Sequence, residues 1–493
     1  MNMLSLVAKH ATREVMSLPK PNPVGISSQA KEGLAAGFLD SRFTAVQSIE
    51  NEGFLVRLHP FAGRFTAGQY LSLDALSRRH GGASLRLTAE QGIEIHVEET
   101  HNAASNRLSI NTALRVNFGL AGQAGRQVSV TPAPRADLPH RQLHEEAARL
   151  AALLAEGEES PESAPRVALI LPADNTADVL GADLGFIALV EAAEIRGWQV
   201  VAGGGEGRLA QPLCRIGAGE APELLCTMLR LARAHGGIGP MIEARGLPWL
   251  LVRLSALFGR VLAGPGSRLP LRLPELLGWH AQGDGLAWLG LPIAGGLIED
   301  GEAKLATALR ILVARFGASP IVTPQRHLLL ADLPEASRPA IEALLREHGV
   351  RLAAALSPLR RWATAEPRHE PVIEAVELHL ERLGLADERI ALRFADRPLA
   401  GDIVLTPGAE GRHLLHLGGD FGGMRLCFPI AETADVARDL APILAAWKRE
   451  RGFGESFGDF CHRRGAEALR ALLPGGASRH GSRCHSGDDR AFA

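Results

Sequence analysis

The chain has 493 residues, 46% hydrophobic and 22% charged, with a formal net charge of −2. That length can bury a large core in several lobes, while near-neutral charge and an aromatic content of 5%, with Tyr70 the single tyrosine, exclude the basic, base-stacking surface that nucleic acid or an anionic membrane would need. Five cysteines, at 214, 226, 427, 461 and 484, are too few and too scattered for a disulfide framework, and the longest apolar stretch, Leu247–Leu262, is interrupted by Arg253 and Arg260, so no membrane span is expected.

In chain order, residues 1–45 read as an N-terminal arm. Lys9, His10 and Arg13 interrupt any signal-peptide core, and PKPNP follows at Pro19–Pro23. Without a targeting signal, a cytoplasmic location is expected. Residues 46–120 hold two β-rich segments, FLVRLHPF and ASLRLTAEQGIEIHVEE, around the helically spaced AGQYLSLDALSRRHG. That order suggests a ferredoxin-like α+β unit. Residues 121–270 form a larger lobe. Pro134–Pro165 is largely helical and ends in the polar loop EGEESPESAP. RVALILPA then reads as a buried strand, GADLGFIALVEAA as a helix, and GWQVVAGGG as a strand entering a glycine turn; Glu220–Leu262 is mostly helical.

Residues 271–352 repeat the first pattern. LAWLGLPI and GGLIEDG read as a hairpin, KLATALRILVARFG as a helix, PIVTPQRHLLLADL as a strand and RPAIEALLREHG as a second helix. The two units are in register, so an internal duplication is expected. Residues 353–474 make a second large lobe, and 475–493, polar and rich in Gly and Ser, a disordered tail.

Four segments carry a family resemblance: GWHAQGDGLAWLGLPIAGGLIEDG (Gly278–Gly301), SPIVTPQRHLLLADLP (Ser319–Pro334), HLLHLGGDFGGMRL (His413–Leu426) and WKRERGFGESFGDFCHRRG (Trp447–Gly465). In this order they resemble the siroheme-dependent nitrite and sulfite reductases, and the resemblance runs roughly from Gly53 to Gly465. It implies an α+β, pseudo-twofold duplicated fold, with two ferredoxin-like half-domains and two larger mixed α/β lobes. It also implies a 4Fe-4S cluster on two cysteine pairs, bridged to siroheme. Yet no cysteine stands between Cys226 and Cys427. Where the first pair belongs, SPLRRWATAEPRHEPVIEA (Ser357–Ala375) places Glu366 and Val372. The second would precede Arg397-Pro398, where the cysteine turn is missing from RFADRPLAGDIVL. A cluster needs thiolates; a carboxylate is a hard oxygen donor and valine no ligand. A 4Fe-4S cluster is therefore not expected.

The family's substrate lysines follow a Pro-Arg step, whereas Pro165-Arg166 here runs straight into VALILPADNTADVLGADLGF. By resemblance Arg57, Arg86, Gln91 and Arg115 stand where family residues meet the cofactor or substrate. Guanidinium groups there would suit a carboxylate-rich tetrapyrrole such as siroheme, but Glu90 and His59 replace two further family arginines. The remaining polar features read as structural. They are the glycine turns Gly203–Arg208 and Gly418–Gly423, the histidines His327, His369, His413 and His416, the lone E-x-x-H of Glu366 and His369, buried Cys461, and His480, Cys484 and His485 in the tail.

The expectation is a nitrite/sulfite reductase-like protein without cluster ligands. It would serve as a non-catalytic partner of an intact siroheme reductase subunit, or of another protein of sulfur or nitrogen metabolism. Two alternatives stay open: a cluster-free tetrapyrrole-binding protein or enzyme, and an active sulfite or nitrite oxidoreductase with non-standard ligands.

Overall fold

The computed structural model describes residues 46–49, 53–80, 82–97, 128–156, 165–205, 207–267, 269–365, 367–395 and 400–474. The expected arm and tail, the polar loop at 157–164, Arg115, Glu366 and Arg397-Pro398 lie outside them.

The first half-domain consists of β1 (Val46–Ile49), β2 (Gly53–Leu58), a helix (Ala67–His80), β3 (Leu85–Leu87) and β4 (Ile93–Val97). The first lobe adds β5 (Val128–Val130), β6 (Val167–Ile170), β7 (Leu184–Glu191), β8 (Glu194–Ala202) and β9 (Gln211–Gly217), with helices Leu138–Glu156, Ala221–Arg233, Ile238–Arg245 and Leu247–Leu257. The second half-domain holds β10 (Gly278–Ala281), β11 (Leu286–Leu291), β12 (Leu297–Ile298), β13 (Ser319–Val322) and β14 (Leu328–Pro334), with helices Leu305–Phe316 and Arg338–Glu347. The second lobe holds β15 (Leu392–Phe394), β16 (Ile403–Pro407), β17 (His413–Leu417) and β18 (Phe428–Thr433), with the longer helices Glu370–Arg382 and Val436–Glu450.

The duplication is visible in sheet order. One half-domain pairs its strands β1-β2-β4-β3 and the other β10-β11-β14-β13. In the lobes, β6-β7-β8-β9 and β15-β16-β17-β18 each begin with a parallel pair and continue antiparallel. The half-domains also exchange backbone. β12 leaves its own unit and pairs with β3, Leu297 opposite Arg86. In return Arg64 bridges Ile321 of β13, and Phe65 N donates to Pro320 O at 2.8 Å. A short turn precedes each exchange, ending at Gly63 (φ +67°) and Gly296 (φ +68°).

Alternation explains the shared core. Val56, Leu58, Leu85, Leu87, Ile93 and Ile95 of one sheet join Leu289, Leu291, Leu328 and Leu330 of the other in a single buried cluster with the Ala67–His80 and Leu305–Phe316 helices. Buried Asp74 ties those helices together, accepting from Arg310 Nε at 2.7 Å and Arg78 Nε at 3.0 Å.

Three expectations need correction. GADLGFIALVEAA is not a helix but strand β7, because its apolar run is buried between β6 and β8 and its Ala192-Ala193 pair makes a left-handed hairpin turn (φ 49° and 59°). LAWLGLPI and GGLIEDG do not form a hairpin: β11 pairs with β10 and β14, while β12 crosses to β3. PIVTPQRHLLLADL is not one strand but the hairpin β13–β14, folded back where Thr323 Oγ1 accepts from His327 N at 3.1 Å. No helix among the described residues is long and apolar enough to cross a membrane.

Candidate functional site

With one face of the first sheet committed to the core, the alternate side chains Arg57, Arg86, Glu94 and His96 fall on the other face. The register sets them in a row. Arg57 on β2 lies opposite Glu94 on β4, and Glu94 lies opposite Arg86 on β3. Arg57 Nε is ion-paired with Glu94 Oε1, with the two side chains 32% and 15% exposed. Arg86 is exposed and makes no ion pair among the described residues. Glu90 is exposed in the β3–β4 turn. The row thus reads Arg–Glu–Arg, and the central carboxylate offsets much of the pull the two guanidinium groups would exert on an anion.

Gln91 lies elsewhere. It is buried with φ 60°, donates from Nε2 to Val322 O at 3.3 Å and accepts from Val130 N at 3.4 Å. It stitches the β3–β4 turn to the other half-domain and to the first lobe. His59 is buried beside it, with Nε2 3.4 Å from Thr88 Oγ1. The structure therefore brings Arg57 and Arg86 together, turns Gln91 inward, and leaves Arg115 outside the described residues. Glu94 was missed in the sequence, where GIEIHV shows alternation but not which residue lies across the sheet. The matching face of the second sheet is sealed: Trp288, Ile321, Leu329 and Ala331 pack with Ala133 and Leu276 into a small apolar cluster.

The described residues flanking the positions where cluster cysteines are expected make ordinary packing contacts. Thr364 makes a parallel bridge to Arg393, and Phe394 N donates to Thr364 O at 2.9 Å. His369 stacks on Phe394 at 3.9 Å and 7°, and His413 meets both edge-on. Val372 packs against the core of the second lobe. Arg360 Nε holds Glu377 at 2.7 Å and is also paired with Glu370, so its charge is compensated. A cavity of about 540 Å³ opens beside this loop, lined among others by Ile293, Gln325, Arg351, Ala365 and Ile373. His327 also lines it; burial pushes its imidazole down to about 4, and Nδ1 accepts from Ile293 N at 3.3 Å. It is a neutral packing residue.

The described cysteines do not converge. Cys214 is in the core of the first lobe, its thiol pushed up to about 12 by burial. Cys461 is in the core of the second, where burial raises its thiol well above the ordinary range. Cys226 is half-buried on the Ala221–Arg233 helix and Cys427 is buried. Among the described residues no group of three or more His, Cys, Asp or Glu side chains could hold a metal ion. The described cysteines, which form no such group, do not fit a cluster that needs convergent thiolates. Lysines are missing too: none occurs between Lys31 and Lys304. Arg166 is engaged at the start of β6, its Nη2 donating to Gly181 O at 2.9 Å and its backbone N to Asp183 Oδ2 at 2.8 Å.

Comparison with known proteins agrees with the fold. Residues 47–105 match the nitrite/sulfite reductase ferredoxin-like half domain. The chain is 27% identical to the sulfite reductase (ferredoxin) of Synechococcus elongatus, over 87% of this chain and 83% of that protein. It is 28% identical to the sulfite reductase (NADPH) hemoprotein beta-component of Chromohalobacter salexigens, over 84% of each, and 29% identical to that of Bordetella petrii, over 85% and 83%. The NirA protein of Mycobacterium tuberculosis shares the fold, with a TM-score of 0.68 at 18% identity over 85% of both chains.

Proposed function

Since the chain belongs to the nitrite/sulfite reductase family, we propose that it is a member working without a 4Fe-4S cluster, as a non-catalytic component of sulfur or nitrogen metabolism. One observation carries this: the span from 227 to 426, which holds both loops where the family's cysteine pairs are expected, contains no cysteine. A single lost ligand leaves room for a substitute; loss of the whole set removes the cluster and with it the electron supply to a haem. The missing lysines point the same way, because reduction of an oxyanion needs charge stabilisation and proton donors in the pocket.

Siroheme fits the residues poorly. Its carboxylates would meet a face whose central residue, Glu94, is itself a carboxylate already paired with Arg57. Several relatives bear the name of a hemoprotein beta-component, which makes a multi-component enzyme the natural setting. The partner best suited is an intact reductase subunit, held through the faces that the duplicated fold leaves for assembly.

The test is a spectrum with iron and acid-labile sulfide analysis, on full-length protein co-expressed with siroheme biosynthesis. The expected result is a colourless, iron-free protein that retains a reductase subunit in a pull-down. Stoichiometric iron with labile sulfide would overturn the proposal. A Soret band without sulfide would transfer the assignment to a cluster-free tetrapyrrole protein.

A further inference from the structure

On the first lobe, residues leading into and opening the Leu138–Glu156 helix line a cavity of about 270 Å³ that also takes in Arg64 and Gln282 from the half-domains and none of Arg57, Glu94 or Arg86. Its polar lining is predominantly basic: Arg64, Arg135, Arg141, His140 and His144, against the one carboxylate of Glu145. Several of these groups are already committed. Arg64 is paired with Asp332, and Gln282 Nε2 donates to the same carboxylate at 3.0 Å. His144 has its Nε2 2.9 Å from Thr131 O, and burial, with Arg64 and His140 nearby, holds its imidazole below the usual range. Its ring is committed to that carbonyl and forms a wall of the site.

Three groups remain for a ligand. Arg135 and Arg141 are exposed at the rim and make no ion pair among the described residues. His140 is 9% exposed, and its Nδ1 lies 2.7 Å from Asp137 Oδ1, which fixes the ring and leaves Nε2 for whatever occupies the cavity. Burial raises the Asp137 carboxyl, but hydrogen bonds from the His140 ring and backbone outweigh it and leave the group below its ordinary value. A buried imidazole oriented by a carboxylate, beside two guanidinium groups outside any ion pair among the described residues, Arg141 in the first turn of a 19-residue helix and Arg135 just before it, is an arrangement suited to a multiply charged anion.

We propose that this cavity binds a doubly charged oxyanion, either free or as the terminal phosphoryl group of a small molecule, between Arg135 and Arg141 with His140 Nε2 as a third contact. This does not depend on the assignment of the cluster-free role. The volume exceeds what a bare oxyanion fills, leaving space for ordered water or a small organic group.

Calorimetric titration of the full-length chain at constant ionic strength, with inorganic phosphate, sulfate and glycerol 3-phosphate as probes, tests it. Saturable binding of at least one probe is expected, and the order of affinities separates a free ion from a phosphate ester. Arg135→Ala and Arg141→Ala should each weaken binding by about tenfold or more, while Glu145→Gln should strengthen it. Arg412→Ala, an exposed arginine in the other lobe, should bind as the parent does. Thermal melts establish that each variant is folded. Absence of saturable binding for all probes, or equal binding by folded Arg135→Ala and Arg141→Ala variants, would overturn the proposal.

Discussion

Asp402 is a fully buried carboxylate whose oxygens accept backbone N–H groups from Ala391 at 2.8 Å and from Gly458 at 2.9 Å. Burial, the largest influence, outweighs those two bonds and, with Asp420 and Asp459 nearby, pushes its carboxyl up to about 6. The folded state therefore keeps a proton that the unfolded chain releases near pH ~4. This contribution to stability is complete below pH ~4 and lost as pH rises through about 6, above which the buried charge costs a constant ~3 kcal/mol. Asp402→Asn is neutral throughout. Urea unfolding at pH values from 4 to 7 should thus show the parent losing stability relative to the variant up to pH ~6, then running parallel to it; parallel curves over the whole range would refute the assignment. Such residues are hard to read in a sequence, because the partners of Asp402 lie 11 and 56 positions away. The same reason hid Glu94. Arg57 and Arg86 stood out as arginines on strands, but the carboxylate between them became visible only with the register.

The exchange turns concern whole elements. At Gly63 the backbone is left-handed, and a Cβ would lie 2.5 Å from Val322 O, a backbone atom held within β13. At Gly296 the conformation is the same, but the nearest atom to a Cβ would be Arg326 Cβ at 3.0 Å, a less severe approach. Gly63→Ala should cost about 2–3 kcal/mol and Gly296→Ala about 1–2 kcal/mol, read as changes in urea midpoint. The reverse order would show that the close approach to Val322 O at Gly63 does not set the cost. Elements with helical apolar spacing were legible from sequence: the helices at Ala67–His80, Leu305–Phe316 and Arg338–Glu347 fall where that spacing placed them. β7 was not, because a short apolar run reads as either a buried strand or a buried helix until its neighbours are known. The hairpin expected between β11 and β12 failed for a different reason. Chain proximity favours pairing, and nothing local signals that a two-residue strand will cross to the other half.

At the scale of the molecule, the order of family-like segments made the duplicated architecture legible, but not how its parts are coupled. The two half-domains share one buried cluster, whereas each lobe has a principal core of its own. The exchange adds backbone pairing in both directions. Asp74, buried in one half and bonded to Arg310 of the other, would be left facing a broken interface if either half opened alone. Separating the halves would thus expose apolar surface, break ladder pairs and strand a buried carboxylate together, so no partly opened form of the pair is low in energy. Hydrogen exchange measured against urea should accordingly find the amides of β2, β4, β11 and β14 converging on one opening free energy with one denaturant dependence. Those of β7–β8 and of β16–β17 should converge on values of their own, since each lobe can open while the central pair stays closed. Distinct isotherms for β2–β4 and β11–β14 would mean that the halves fold independently and that the exchanged strands merely dock them. A single isotherm for all the strands would instead make the whole chain one cooperative unit, with the lobes bound to the centre as tightly as the halves are to each other.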